Sequence, residues 1–232
     1  RGAPRRRRAA TPMNPDTASG HPRKQQLSPR REPLQQRSLA RAQQILDVTA
    51  RLLDEVGFDA LTTILIARDM GISVGTLYHY FPNKHAIMYA MAEQWLREVE
   101  RSLAEIDGWR LADLAPEQFV DRLIERQLAV YKARHGILHL VQAMFSVPEL
   151  RALDQQHDAL VIERMTVAFA RYGLGGTPTE LARLARAYLE LTHALLLVVV
   201  NQAGIRSRRT LADLKRVTLC LLQPYIATGG NR

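Results

Sequence analysis

A chain of 232 residues with 47% apolar side chains can bury a sizeable core in one or two domains, which excludes disorder over its full length. The formal net charge of +9 suggests a polyanion partner, but residues 1–37 hold ten Lys and Arg against two acids, leaving 22 against 21 for residues 38–232. The folded part therefore needs a local cationic surface rather than a global field. A single cysteine, Cys220, excludes an internal disulfide framework and a multi-cysteine zinc site, and reads as a small buried apolar residue in a reducing compartment. The most apolar run, Leu195 to Val200, falls far short of the roughly 20 residues that span a bilayer. The N-terminal arginines precede no apolar stretch, so neither a membrane span nor a secretory signal is expected, and a cytoplasmic location is.

Taken in chain order, residues 1–37 are rich in Arg, Pro, Gln and Ser and too poor in large apolar residues to offset the entropy of ordering. They are read as a disordered basic arm, either a plain solvated tail or an aid to nonspecific phosphate binding. From Ser38 the pattern turns helical, with Ile45, Leu46, Thr49, Leu52, Leu53 and Val56 on one face and Gly57 as the stop. Thr62 caps a short second helix to about Met70, Gly71-Ile72-Ser73 makes a turn, and Val74 to Phe81 forms a third helix that Pro82 and Asn83 end. A longer helix from Lys84 to about Ile106 follows, then helices near 116–134, 137–145 and 149–172. Thr177-Pro178-Thr179-Glu180 spells a capping box for a helix to about Ala203, and Thr210 to Asp213 repeats the signal more weakly for a last helix to about 227. No strand is expected. The fold class is all-α, with a head over 38–84 and a helical body over 85–232.

Residues 41–84 read as a helix-turn-helix. Ala67 is small where two helices cross, Gly71 tolerates positive φ in the turn, and Ile66, Ile72, Leu77 and Phe81 anchor the core. That leaves Ser73, Gly75, Thr76, Tyr78, His79 and Tyr80 as the outward set, while Lys84 opens the fourth helix, where charge and free N–H groups favour a phosphate. The residues Ile45-Leu46, Gly57-Phe58, Leu61-Thr62, Ile66-Ala67, Gly71-Ile72-Ser73 and Gly75-Thr76-Leu77-Tyr78-His79-Tyr80-Phe81-Pro82-Asn83-Lys84 resemble the TetR/AcrR family of bacterial repressors over about 45 positions. The resemblance implies that Thr62 and Tyr78 contact phosphate or groove, that Thr76 meets base edges, that Lys84 anchors a phosphate, and that His79 and Tyr80 neighbour the DNA backbone. Ile64 and Leu65 depart from it, standing where the family has polar residues. Either Ile64 packs on a thymine methyl group or the second helix only positions the third.

The same resemblance implies a ligand-responsive homodimeric repressor of a palindromic operator, with a small-molecule effector in the body and pairing through the helices near 178–203 and 210–227. Between Tyr188 and Val200 the first of these is apolar nearly all round, for which a partner subunit is the natural cover and a central core helix of a monomer the alternative. Effector candidates that mix apolar volume with polar handles are Met91, Trp95, Phe119, Leu123, Gln127, Tyr131, His139, Gln142, Phe145, Met165, Phe169 and His193, most of them expected to be ordinary core. His135 and His139 are spaced like metal ligands but lack a third, so no metal is expected, and no cofactor. With no His-Glu-x-x-His, nucleophile elbow, Walker loop or dinucleotide fingerprint, an enzyme is disfavoured. The competing readings are a regulator without an effector and a helical small-molecule binder with a vestigial helix-turn-helix.

Overall fold

A computed structural model describes residues 31–226. The described residues form nine α-helices: α1 (Arg31–Ala60), α2 (Thr63–Asp69), α3 (Val74–Tyr80), α4 (Lys84–Asp107), α5 (Pro116–Lys132), α6 (Ile137–Ser146), α7 (Pro148–Tyr172), α8 (Pro178–Val200) and α9 (Gly204–Leu222). Among them the extended pairing is a single bridge between Leu174 and Ile226.

The sequence signals map onto these ends with local reasons. Thr62, Ser73 and Asn83 each accept a hydrogen bond at the first turn of the helix they precede, and Thr177 and Glu180 close the expected capping box. Gly57 breaks the regular course of α1 with φ 74° and ψ 174°. Three expectations need correction. α1 begins at Arg31, so residues 31–37 of the basic arm are helical, while residues 1–30 lie outside the described part. α9 begins at Gly204, six residues ahead of the Thr210 signal, because Ser207 Oγ donates to the Val199 carbonyl and Thr210 Oγ1 to Gln202 Oε1, pinning the turn to the end of α8. Cys220 is exposed rather than buried, since α9 turns Leu214, Thr218 and Leu222 inward instead.

The helices α1–α3 close a small head around Ile45, Leu53, Leu61, Ile66, Ala67 and Leu77. α4 leaves this head and runs through the body, which α5 to α9 complete. Of the two routes from head to body, one is α4 itself. Lys84 Nζ donates to the Phe58 carbonyl at 3.1 Å and lies 4.2 Å from the centre of the Phe58 ring, tying the start of α4 to the end of α1.

The other route is α6. Its N-cap, Gly136, has φ 70° and sits so close to α1 that an added Cβ would stand 2.8 Å from the Ala50 carbonyl oxygen and 3.2 Å from Leu53 Cβ. Glycine is required there twice over, by dihedral and by space. Gly136→Ala is expected to cost about 2 to 4 kcal/mol, from left-handed strain plus overpacking. Gly173→Ala, at φ 93° with nothing within 4 Å of its Cβ position, should cost roughly 1 kcal/mol from strain alone. Urea unfolding of the two variants checks the difference; equal losses would remove the close approach from the account.

Candidate nucleic-acid interface and effector cavity

On the head, α3 shows one buried residue, Leu77, and turns the rest outward or to the flanks. Ser73, Gly75, Thr76, Tyr78 and His79 are exposed, Tyr78 by 49%. Thr62 is exposed at the start of α2, and Ile64 stands 67% exposed on the same helix. Local hydrogen bonds fix this face: Ser73 Oγ accepts from Thr76 N at 3.0 Å and lies 2.8 Å from Thr76 Oγ1, and Tyr78 OH lies 3.2 Å from Thr63 Oγ1, joining α3 to α2. Gly75 is not demanded by the fold, since an added Cβ would meet Ser73 Oγ at an ordinary 3.7 Å. Its missing side chain leaves room for an outside body.

Two of the eight predicted residues have contacts of their own within the head. Tyr80 is half-buried against the core, because the helix turns it toward α1. The Lys84 ammonium is engaged with Phe58, as described above. Two residues that sequence reasoning passed over, Arg37 and Arg41, line a groove with Gln44, His79 and Tyr80, next to the outward face of α3. Their four-residue spacing at the start of a helix was the available signal.

In the body, the effector candidates separate into groups. A cavity of about 20 Å3, room for one water, is walled by Val99, Ser102 and Leu103 of α4, Gln127, Val130 and Tyr131 of α5, His157 and Val161 of α7, and Leu189 and Thr192 of α8. Of the twelve candidates, Gln127 and Tyr131 line it. Trp95 and His193 adjoin it: Trp95 stacks on His157 at 5.1 Å between centroids, and His193 Nδ1 lies 2.8 Å from Tyr131 OH. Phe145, 57% exposed on α6, meets His193 edge-on at 6.0 Å. Phe119 and Phe169 belong to a separate ring cluster with Tyr172 and Tyr188, and Met91, Leu123 and Met165 are buried core. His139 packs at the α1–α6 contact near Gly57, and Gln142 is exposed. Ser102 and Thr192 were missed; each is a buried hydroxyl in an apolar register, Thr192 donating to the Tyr188 carbonyl at 2.8 Å. Among the described residues no group of three or more His, Cys, Asp or Glu is arranged to hold a metal. Nor is any helix among them long and apolar enough to cross a membrane.

The geometry of a capped three-helix head joined by a long helix to a helical body agrees with comparisons to known proteins. A family model described as "Bacterial regulatory proteins, tetR family" matches residues 45–91, and one described as "Tetracyclin repressor-like, C-terminal domain" matches residues 115–222. The chain belongs to the TetR family. This membership places it among transcriptional regulators with a helix-turn-helix head, not among enzymes. An HTH-type transcriptional regulator BetI of Vibrio atlanticus is 25% identical over 134 residues, covering 55% of this chain and 65% of that protein. An HTH-type transcriptional repressor KstR of Mycolicibacterium smegmatis is 28% identical over 142 residues, covering 60% of this chain and 66% of its own. The matched part thus spans about two-thirds of these curated relatives, and in a BetI of Vibrio parahaemolyticus 53%. A TetR-family regulator structure from Streptomyces coelicolor shares the fold at TM-score 0.54 and 24% identity over 80% of this chain and 99% of its own. A Rhodococcus regulator does so at TM-score 0.64 and 13% identity, over 79% and 96%.

In this TetR-family chain the cavity's ionisation is set by burial. Desolvation holds the Tyr131 hydroxyl far above its usual range, with Asp158 adding to the effect. His193 is pushed from its ordinary 6.5 down to about 4, by burial first and the neighbouring His157 second, with Asp158 opposing. The folded protein therefore resists a proton that the unfolded chain accepts near pH 6.5. Stability is full above that pH and falls as pH drops through about 6.5 to about 4, by roughly 3 kcal/mol in total. Melting temperatures of the protein and of His193→Phe across this range should show a flatter acid limb in the variant; parallel limbs would assign the loss to other groups.

Proposed function

We propose that this TetR-family regulator is a repressor that binds a palindromic DNA operator as a homodimer and is released by a small molecule bound among α4, α5, α7 and α8. The observation that carries the DNA reading is the outward face of α3, where Gly75 leaves an opening beside Thr76 and Tyr78 that the fold itself does not need. A recognition helix in a major groove requires such a close approach. Thr76 then meets base edges, Tyr78 and Thr62 the backbone or groove, and Ser73, His79 and Tyr80 stand beside the phosphates. Arg37 and Arg41, in a groove shared with His79, supply the local cationic surface that the near-neutral fold otherwise lacks. Ile64, strongly exposed for an apolar residue, suits a thymine methyl group.

The dimer reading draws on α8 and α9. Ala187, Leu191, Ala194 and Val198 recur at spacings of four, three and four along α8 and keep exposed or half-exposed surface, as do Val217 and Cys220 on α9. Covering this stripe with a second copy removes it from water. Two heads related by a two-fold axis would meet half-sites about 34 to 36 Å apart. The effector reading draws on the lining of the cavity. Ligand entry would act on α4, which lines the cavity and opens at Lys84, and on the α5–α6 connection, which reaches Ala50 through Gly136. A regulator without an effector has the small size of the cavity in its favour.

Selection of bound duplexes from a random library at physiological salt should enrich one palindrome; no enrichment by a folded dimer would sink the repressor reading. With that operator, Thr76→Ala should alter sequence preference. Lys84→Met should weaken all sequences alike and reduce the salt slope by about one, if Lys84 meets a phosphate. A lower melting temperature with an unchanged slope would confine Lys84 to its contact with Phe58.

A further inference from the structure

We propose that the buried ring cluster around Trp95, Tyr131 and His193 takes an uncharged, largely apolar molecule that carries a hydrogen-bond acceptor, such as a ketone oxygen. This rests on the effector reading above and narrows it to a chemical class.

The argument begins with a proton count. Among the described residues the Tyr131 hydroxyl has one hydrogen-bond partner, His193 Nδ1 at 2.8 Å, and a buried hydroxyl with one partner is satisfied as a donor by giving its hydrogen to it. Tyr131 therefore donates to Nδ1, which places the hydrogen of the neutral imidazole on Nε2. Among the described residues that Nε2 is buried without a partner, and so is Nε1 of Trp95, a residue 1% exposed whose ring lies 6.2 Å from that of His193. Two N–H donors in one cluster are thus unsatisfied, each at a cost of about 1 to 3 kcal/mol. An acceptor atom reaching them recovers this cost. The adjoining cavity wall mixes apolar Val99, Leu103, Val161 and Leu189 with polar Ser102, Gln127 and Thr192.

Charge excludes the alternatives. An anion would need a free cation, but the two arginines flanking this side of α5 are committed: Arg126 to Glu105 at 2.6 Å, and Arg134 to Glu98 at 3.0 Å and Gln94 at 3.1 Å. An ammonium group would face the two N–H donors, and of the two carboxylates near His157, Asp158 already lies 3.3 Å from its Nδ1 while burial, with Asp158 beside it, pushes Asp154 toward its neutral form. A neutral acceptor meets neither penalty. The existing space holds about one water, so entry requires a ring to give way, and Phe145, more than half exposed against His193, is the ring with room to move.

The test uses three probes of one shape: 4-phenylcyclohexanone, 4-phenylcyclohexylamine and 4-phenylcyclohexanecarboxylate, titrated at pH 7.4 into the full chain carrying Trp109→Phe, so that Trp95 fluorescence reports. The ketone should give saturable quenching at least tenfold tighter than either ion. His193→Phe, which keeps a ring but removes Nε2–H, should weaken the ketone about tenfold, whereas Tyr188→Phe, which removes a buried hydroxyl of the separate ring cluster, should leave it unchanged. Tightest binding by an ion, no saturation by the ketone, or equal loss in both variants overturns the proposal. Operator affinity measured in the same titrations separates it from the reading beneath it. A ketone that binds without loosening DNA overturns the effector reading and leaves the chemical class standing, while an ion that binds and releases DNA does the reverse.

Discussion

The close approach of α6 to α1 is the constraint on which the relation between head and body depends. Backbone packs on backbone at Gly136, with no side chain between Ala50 and the start of α6. Contacts of this kind have no slack, because a dense interior transmits a displacement instead of absorbing it. The Arg134 guanidinium, two residues earlier, grips Glu98 and Gln94 of α4, so the same short connection is fastened to both long elements that reach the head. A shift of α5 at Tyr131 is thereby shared between α4 and α6.

The buried polar cluster in the body works against stability. A core of the same volume made of Leu and Phe would leave no N–H unpaired and would not weaken at acid pH. Here an imidazole is held neutral well below its ordinary range, a tyrosine hydroxyl is devoted to it, and an indole N–H has no partner among the described residues. Proteins retain such local conflicts where something other than folding selects them. Its position bears on the same point, since α4 carries both Trp95 in this cluster and Lys84 at the head.

The head was legible in the sequence because short-range rules decide it. Thr62, Ser73 and Asn83 cap their helices through contacts three residues long, and Ala67 and Gly71 serve a crossing and a turn that local geometry specifies. The body was legible as helices and less so as a site. Phe119 and Trp95 look alike in a periodic pattern, yet one packs with Tyr172 and the other with His157, and those partnerships link positions 53 and 62 residues apart in the chain. Ser102 and Thr192 resemble ordinary helical hydroxyls until the fold turns them toward a common space. Cys220 was misjudged for the converse reason, since a small apolar residue on an amphipathic helix gives no sign of which face it takes.

Lys84 shows how one residue can join fold and interface. Its charge sits at a helix start, where the macrodipole disfavours a cation, so the placement needs a compensating acceptor. The Phe58 carbonyl, freed where Gly57 interrupts α1, and the Phe58 ring supply one. An ammonium has three donors, and this contact uses one of them. The others remain for a phosphate, and an anion there would offset the dipole penalty as well. The clip to Phe58 is therefore compatible with the phosphate contact proposed for this residue.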